Sequence, residues 1–228
     1  MKHLLLLACV AACALLAGCA STTPVPVAEN TMYIPPLRMR ATKPPGWTFF
    51  TTREARAHFK NYGSTNKILN TVYYQNISVP FLTLARERRS EAEFKTLVTI
   101  DRISLGNEHL ISGEKLVRFI SGEKLARFVI DGHIRWIDGV RVIVAPRLEL
   151  VAGEPFTYLC LRYPLGFKDG RRFEVEKHFW LKPSALSAMG ISAEFDVRQA
   201  AEIWPEIQQI LESLVLEAKP EPAAPPKG

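Results

Sequence analysis

The sequence has little cysteine, and most of it lies outside the part expected to fold. Of the four cysteines, Cys9, Cys13 and Cys19 fall within the first twenty residues. Only Cys160 is left in the rest of the chain, which excludes an internal disulfide there. Cys160 lies in the apolar run FTYLCLRY. We expect a buried structural thiol, because reactive cysteines need a polar and partly exposed setting.

Motifs that hold nucleotides, metals or redox groups are also lacking. The chain contains no P-loop, no GxGxxG, no HExxH and no CxxC pattern. Ser64 and Lys67 match S-x-x-K, in which a lysine one helical turn after a serine could deprotonate it, but no K-T-G or K-S-G occurs. A serine hydrolase that uses these two residues is therefore a less favoured alternative.

The residue types that bind metals show no ligand pattern. Outside the first twenty residues the histidines are scattered and are expected at the surface or partly packed: His58, His109, His133 and His178. Glu174 and Glu176 lie two apart on one face of a predicted strand, and a solvated face explains them better than a catalytic pair. We predict no metal site, no cofactor and no catalytic residue.

No apolar run is long enough to span a bilayer as a helix. The run at residues 4–16 follows Lys2 and has the length of the h-region of a signal peptide. It ends in a segment that resembles the lipobox of bacterial lipoproteins at every position: Leu16, Ala17, Gly18 and Cys19. The sequence therefore predicts a lipoprotein signal peptide.

The lipobox resemblance implies a lipid anchor. It implies cleavage between Gly18 and Cys19, diacylglyceryl transfer to the Cys19 thiol and acylation of the new amino terminus. A terminus with several acyl chains is anchored stably in a membrane. Ala20 takes the position where an aspartate tends to retain lipoproteins at the inner membrane. The resemblance thus implies the outer membrane, with the domain facing the periplasm.

Composition divides the chain into four parts. We predict a signal peptide at residues 1–18, a lipidated cysteine and proline-rich tether at 19–45, one globular domain at 46–218 and a disordered tail at 219–228. The net charge of +6 becomes +5 when Lys2 leaves with the signal peptide. For an envelope lipoprotein, this modest excess favours anionic lipid headgroups or an acidic protein surface over nucleic acid.

The patterns within the domain predict an α+β fold with a central antiparallel sheet packed by N-terminal and C-terminal helices. Helices are predicted at residues 52–62 and 195–216. Asp196 can cap the second helix, and Pro205 should kink or restart it. Strands rich in β-branched and aromatic residues are predicted at 77–84, 95–103, 139–145, 154–163 and 172–181.

A nine-residue segment occurs twice in succession, as ISGEKLVRF and ISGEKLARF, at residues 111–128. Its Ser-Gly dipeptides, with Asp-Gly at 131–132 and 138–139, predict a meander of short hairpins. The duplication is read as a tolerated lengthening of a sheet edge or loop. The alternative is a basic interaction surface that also includes the cluster after FLTLA: Arg86, Arg88, Arg89, Lys115, Arg118, Lys124 and Arg127.

The order of these elements resembles the PsbP-like sandwich. The resemblance rests on VPFLTLARERRSEAEFKTLVTID, a following sheet and the final segment AAEIWPEIQQILESLVL. It implies an antiparallel sheet with helices on both faces and a non-catalytic binding or assembly role. It brings no active-site residues.

Together these observations predict a lipid-anchored envelope lipoprotein. Its membrane contact would be through the acyl chains on Cys19, and its domain would be a non-catalytic interaction or assembly module with an envelope protein as partner. The first alternative is a small-molecule or lipid-binding domain whose apolar sheet face opens to a pocket.

Overall fold

The computed structural model describes residues 23–60, 64–65, 80–103, 121–183 and 188–217. Its helices are α1 (Thr52–Lys60), α2 (Gly122–Trp136) and α3 (Ala200–Glu212), with 3-10 turns at Pro35–Leu37 and Val197–Gln199. Its strands are β1 (Val25–Ala28), β2 (Thr31–Ile34), β3 (Met39–Thr42), β4 (Trp47–Phe50), β5 (Leu82–Arg86), β6 (Leu97–Ile103), β7 (Arg141–Val151), β8 (Glu154–Gly166), β9 (Arg172–Pro183), β10 (Ala188–Asp196) and β11 (Val215–Leu216).

The strands form two antiparallel sheets within the described residues. The large sheet has the order β4-β5-β6-β10-β9-β8-β7, and the small sheet has the order β1-β2-β3-β11. Strands β7 to β10 follow one another as a meander, with Ala152 and Gly153 at positive φ in the two-residue turn between β7 and β8. Both central positions of such a turn require positive φ. The predicted α+β class with a central antiparallel sheet is confirmed.

The large sheet has an apolar core on each face, because successive residues of a strand point to opposite sides. On β8, Phe156 and Tyr158 belong to the core that also contains Ile203 and Ile207 of α3. Leu159 and Leu161 belong to the core covered by α2, with Leu125 among its buried residues. Helix α3 thus covers one face of the sheet and α2 covers part of the other.

The predicted meander of hairpins at the duplication is wrong for the second copy, which begins α2. The Ser121 hydroxyl caps this helix by accepting a hydrogen bond from the backbone N–H of Lys124 at 3.3 Å. Leu125, Val129 and His133 then fall four residues apart and are buried on one face. The Ser-Gly dipeptide is therefore a helix start and not a turn. The first copy, at residues 111–119, lies outside the described residues.

The predicted tether also needs a correction. Residues 25–42 form strands β1, β2 and β3, and the last of these pairs with β11 near the end of the described chain. Ile34 and Met39 are fully buried and belong to the core beneath α3. Proline density concealed these strands, since Pro35 and Pro36 lie in the 3-10 turn between them. The remaining domain boundaries stay predictions.

The C-terminal helix is shorter than predicted at both ends, since residues 195–196 belong to β10 and residues 215–216 form β11. The Asp196 side chain caps the preceding 3-10 turn by accepting a hydrogen bond from the backbone N–H of Arg198. Helix α3 then continues through Pro205 without restarting. Strand β10, which the sequence analysis did not predict, lies between β6 and β9 and joins the two halves of the large sheet.

Candidate functional site

The predicted basic cluster after FLTLA is neutralised by glutamates. Arg86 on β5 donates from Nε to Glu206 Oε2 at 2.8 Å, and from a terminal nitrogen to Glu202 Oε1 at 2.7 Å. Arg89 also pairs with Glu202, and Arg88 pairs with Glu91 at 2.7 Å. The contacts of Arg86 and Arg89 fasten α3 to β5 and to the loop after β5, so these arginines are ion-paired groups and not an open anion site.

The second part of the predicted basic surface is only partly described. Lys124 and Arg127 are exposed on α2, where Arg127 pairs with Glu123 one turn earlier at 2.8 Å. Lys115 and Arg118 lie outside the described residues. Helix α2 packs on β7, β8 and β9, and β6 and β10 separate those strands from Arg86 on β5. Among the described residues, Lys124 and Arg127 therefore lie apart from the arginine cluster.

Gly18 and Cys19 lie outside the described residues, so cleavage and lipidation remain predictions. Among the residues described, no helix combines the length and the apolar character needed to cross a membrane.

Ser64 has no solvent exposure and bridges to Phe167 through its backbone, whereas Lys67 is outside the described residues. A serine without solvent access is poorly placed to attack a substrate.

Strand β7 is an exposed edge that the sequence analysis did not single out. In the described part of the chain it pairs with β8 alone, at the end of the large sheet. Leu148 and Leu150 are 77% and 76% exposed. Pro146 lies within the strand. A proline within a sheet is usually found on an edge strand, because it cannot donate a ladder hydrogen bond. Exposed apolar edges are sites where another chain can pair or pack.

Register places this edge beside the start of α2. Leu148 lies directly opposite Thr157 of β8, so both side chains point to the sheet face that α2 covers. Thr157 in turn lies against Gly122, the first residue of α2. We call Leu148 and Leu150 the β7 patch. The alternation Leu148-Glu149-Leu150 was a visible signal, but the predicted strand ended at residue 145.

A second group of side chains, which offer atoms that could bind a metal, lies buried between β8, β9 and α3. Cys160, Glu176 and His178 bring one sulfur, one oxygen and one nitrogen within 4.8 Å of one another. The sequence predicted a surface or partly packed His178 and a solvated Glu176, yet these residues are only 6% and 9% exposed. The burial predicted for Cys160 is confirmed at 1% exposure.

Protonation in this buried group follows from its surroundings. Burial, with a smaller effect from Glu176, raises the pKa of the Cys160 thiol to about 12. The hydrogen bond with His178, together with that from Arg162, lowers the pKa of Glu176 to about 2 against the opposing effect of burial. In this state the cysteine is a neutral thiol and a poor nucleophile, while the glutamate is a carboxylate.

Comparison with known proteins gives only remote likenesses. No family model and no curated protein sequence matches the chain. Similar solved structures include LpqN of Mycobacterium tuberculosis, involved in cell envelope biogenesis, at 11% identity and TM-score 0.46, covering 86% of this chain and 90% of that one. The cyanobacterial PsbP of Synechocystis has 10% identity, TM-score 0.41 and coverages of 88% and 96%. The Ran-binding protein Mog1p of Saccharomyces cerevisiae has 11% identity, TM-score 0.42 and coverages of 86% and 96%.

These likenesses concern the fold and not the function. At this identity and TM-score they carry no argument about partners or chemistry. The chain's own strand order and helix placement define its class, an α+β domain with a seven-stranded antiparallel sheet.

Proposed function

We propose that this protein is a lipid-anchored lipoprotein of the bacterial envelope whose domain binds another envelope protein without catalysis. The lipobox at Leu16 to Cys19 supports the anchor, and Ala20 supports the outer membrane with a periplasmic domain. The observation that carries the binding role is the β7 patch, where Leu148 and Leu150 are about three-quarters exposed on an edge strand. A partner would bury these two side chains and satisfy the open edge of β7.

The anchor is tested by changing the lipidated residue. Cys19→Ala should release the protein from the membrane fraction, because the acyl chains have no other attachment point in the lipobox. Fractionation of cells that express either form measures this. Firm membrane association of Cys19→Ala would contradict the proposed anchor.

The binding role is tested by photocrosslinking the full lipoprotein in living cells. A photoreactive residue at position 148 or 150 should capture one dominant envelope protein, which mass spectrometry identifies. The matched control is position 208, because Gln208 is exposed on α3 away from β7. Leu148→Lys should then abolish capture from position 150 while the domain stays folded. Equal capture from position 208, or none from β7, would overturn the proposal.

The alternative of a lipid-binding or small-molecule-binding domain has less support in the described residues. A cavity of about 340 Å³ lies beside Phe94, Asp196 and Arg198. This volume is at the small end for ligand pockets, which are mostly lined by apolar side chains. Arg198 and Asp196 form an ion pair in its wall at 2.5 Å. An acyl chain would gain little there, which favours the protein-binding role.

A further inference from the structure

The side chains of Cys160, Glu176 and His178 are brought together by strand register. On β8 and β9, Cys160 lies directly opposite His178, and Arg162 lies directly opposite Glu176. Residues two apart on a strand share a face, so all four point to the side covered by α3. Trp204 of α3 lies over the imidazole, with ring centroids 4.5 Å apart. The group is therefore enclosed between the sheet and the helix.

Two of the three separations between the ligand atoms are close to those of a tetrahedral metal site. His178 Nε2 is 3.3 Å from Glu176 Oε2 and 3.7 Å from Cys160 Sγ. Metal–ligand distances of about 2.3 Å to sulfur and about 2.0–2.1 Å to nitrogen or oxygen place tetrahedral ligand atoms roughly 3.3–3.6 Å apart. Both separations lie at or near these values. The third pair, Cys160 Sγ and a Glu176 carboxylate oxygen, lies within 4.8 Å, so a side-chain movement would close the site around a metal.

Hydrogen bonds from neighbouring groups orient the Glu176 carboxylate and the His178 imidazole as metal ligands. His178 Nδ1 is 2.8 Å from the Tyr158 hydroxyl oxygen. In the metal-bound form the proton would lie on Nδ1 and be donated to that oxygen, and not on Nε2 as in the metal-free hydrogen bond to Glu176, so the Nε2 lone pair would face the metal. Glu176 uses Oε1 for Arg162, whose Nε lies 3.0 Å away, and turns Oε2 to the same point. Supporting hydrogen bonds of this kind orient the ligands of metal sites.

Hydrogen bonds among Cys160, Glu176 and His178 explain the arrangement of these side chains less well than a shared metal ion does. The contact from Nε2 to Glu176 is longer than usual at 3.3 Å, and Cys160 Sγ lies 3.8 Å from the carbonyl oxygen of Leu161. One thiolate and one carboxylate would offset the two charges of a divalent cation, and the Arg162 guanidinium beside Glu176 would leave the buried group with one net positive charge. The thiol proton would leave to solvent as the metal–sulfur bond forms.

We propose that Cys160, Glu176 and His178 form a binding site for a divalent transition metal ion of the zinc type. A mixed set of sulfur, nitrogen and oxygen donors suits such borderline ions and not magnesium or calcium. The three residues leave one tetrahedral position for water. Because Cys160 lies on β8 while Glu176 and His178 lie on β9, the ion would hold the two strands together and stabilise the fold.

Cobalt titration tests the proposal with a signal that depends on the thiolate. The full chain, solubilised in detergent and stripped of metal with a chelator, is titrated with Co²⁺. We expect a thiolate-to-cobalt charge-transfer band together with the visible bands of tetrahedral cobalt, both lost on addition of Zn²⁺. Zinc should also raise the unfolding temperature, since it binds the folded state.

Variants separate this site from chance binding elsewhere. Cys160→Ser should abolish the charge-transfer band, and Glu176→Gln should weaken cobalt binding. Glu174→Gln is the matched control on β9, because Glu174 is exposed and pairs with Arg141. Tyr158→Phe should weaken binding by about 10–100-fold through loss of the supporting contact to His178. Circular dichroism establishes that each variant is folded.

Two results would overturn the metal site. One is the absence of a charge-transfer band in the folded wild-type chain at saturating Co²⁺. The other is a band or a zinc-dependent rise in unfolding temperature that persists in folded Cys160→Ser. Neither result bears on the β7 patch, which lies at the sheet edge and is tested by crosslinking.

Discussion

Replacing Glu206 with alanine should loosen α3 from the large sheet. Glu206 accepts hydrogen bonds from Trp47 Nε1 at 2.7 Å and from two nitrogens of Arg86 at 2.8 and 3.0 Å. Trp47 is 1% exposed, and the Arg86 side chain is 13% exposed. The substitution therefore removes the acceptor from a buried indole N–H and half of the partners of a largely buried guanidinium group.

The expected loss of stability follows from these contacts. A hydrogen bond to a charged group contributes about 1.5–3 kcal/mol, and bonds that share one carboxylate are not additive. Arg86 keeps Glu202 as a partner at 2.7 Å, which limits the loss. We expect Glu206→Ala to lower the free energy of unfolding by about 2–3 kcal/mol. Gln208→Ala is the matched control on the same helix and should change it by less than about 0.5 kcal/mol.

Urea unfolding followed by tryptophan fluorescence and circular dichroism measures this difference. Coincident transitions from the two probes establish a two-state comparison. A loss in Glu206→Ala no larger than that in Gln208→Ala would refute the argument that this carboxylate fastens α3 to β4 and β5.

The same contribution should depend on pH. Burial raises the pKa of Glu206, but the hydrogen bonds from Arg86 and Trp47 outweigh burial and leave the pKa below its ordinary value. A carboxyl with a depressed folded-state pKa stabilises the fold above its unfolded pKa of about 4.3. That stabilisation is lost as pH falls through the folded-state pKa. The difference between wild type and Glu206→Ala should therefore shrink in acid, and a constant difference would contradict the assignment.

Three further predictions concern α2 and the face it covers. Leu125→Ala should lower the free energy of unfolding in urea by about 2–5 kcal/mol, because Leu125 is 1% exposed. Phe128→Ala, at a 49% exposed position, should lower it by less than about 1 kcal/mol. Equal losses would contradict the assignment of Leu125 to the buried face of α2. Gly122→Ala should destabilise the fold by about 1–3 kcal/mol despite better helix propensity, since its Cβ would lie 1.9 Å from Thr157 Oγ1. Thr157→Ala in the same chain should recover part of that loss in a double-mutant cycle. Burial and, less strongly, Lys177 lower the pKa of His133 to about 4, so stability should fall by roughly 3 kcal/mol as pH drops from about 6.5 to 4, and an NMR titration of His133 near its ordinary pKa would contradict this.

The strand pattern of β8 and β9 was readable from sequence, and the helix at the duplication was not. Aromatic and β-branched residues are concentrated at 154–163 and 172–181, which favours strands over helices. In contrast, Ser121-Gly122 suits both a turn and a helix start. The decision depends on whether Leu125 and Val129 find a face to cover, which is provided by β8 and β9 from later in the chain. Secondary-structure preference is a weak guide where such packing decides.

The β7 patch and the arginine cluster show the same limit. Exposure of Leu148 depends on β7 being the last strand of the sheet within the described residues, and strand order is a property of the whole chain. Arg86 looked like an open basic residue because its partners, Glu202 and Glu206, lie more than a hundred residues later. Local charge patterns cannot reveal ion pairs that the fold makes between distant elements.

The sequence by itself determined the α+β class and the burial of Cys160, because each is visible in local patterns of residue type, and the lipoprotein leader that it predicts also depends on such a pattern and stays a prediction. Tertiary structure alone decided which strand forms the edge and which side of β9 is enclosed. It also brought Cys160, Glu176 and His178 together, since residues 160 and 178 face one another only in the observed β8–β9 register. A shift of β9 by one residue in that register would turn Glu176 and His178 to the face of the sheet opposite Cys160 and disperse the group.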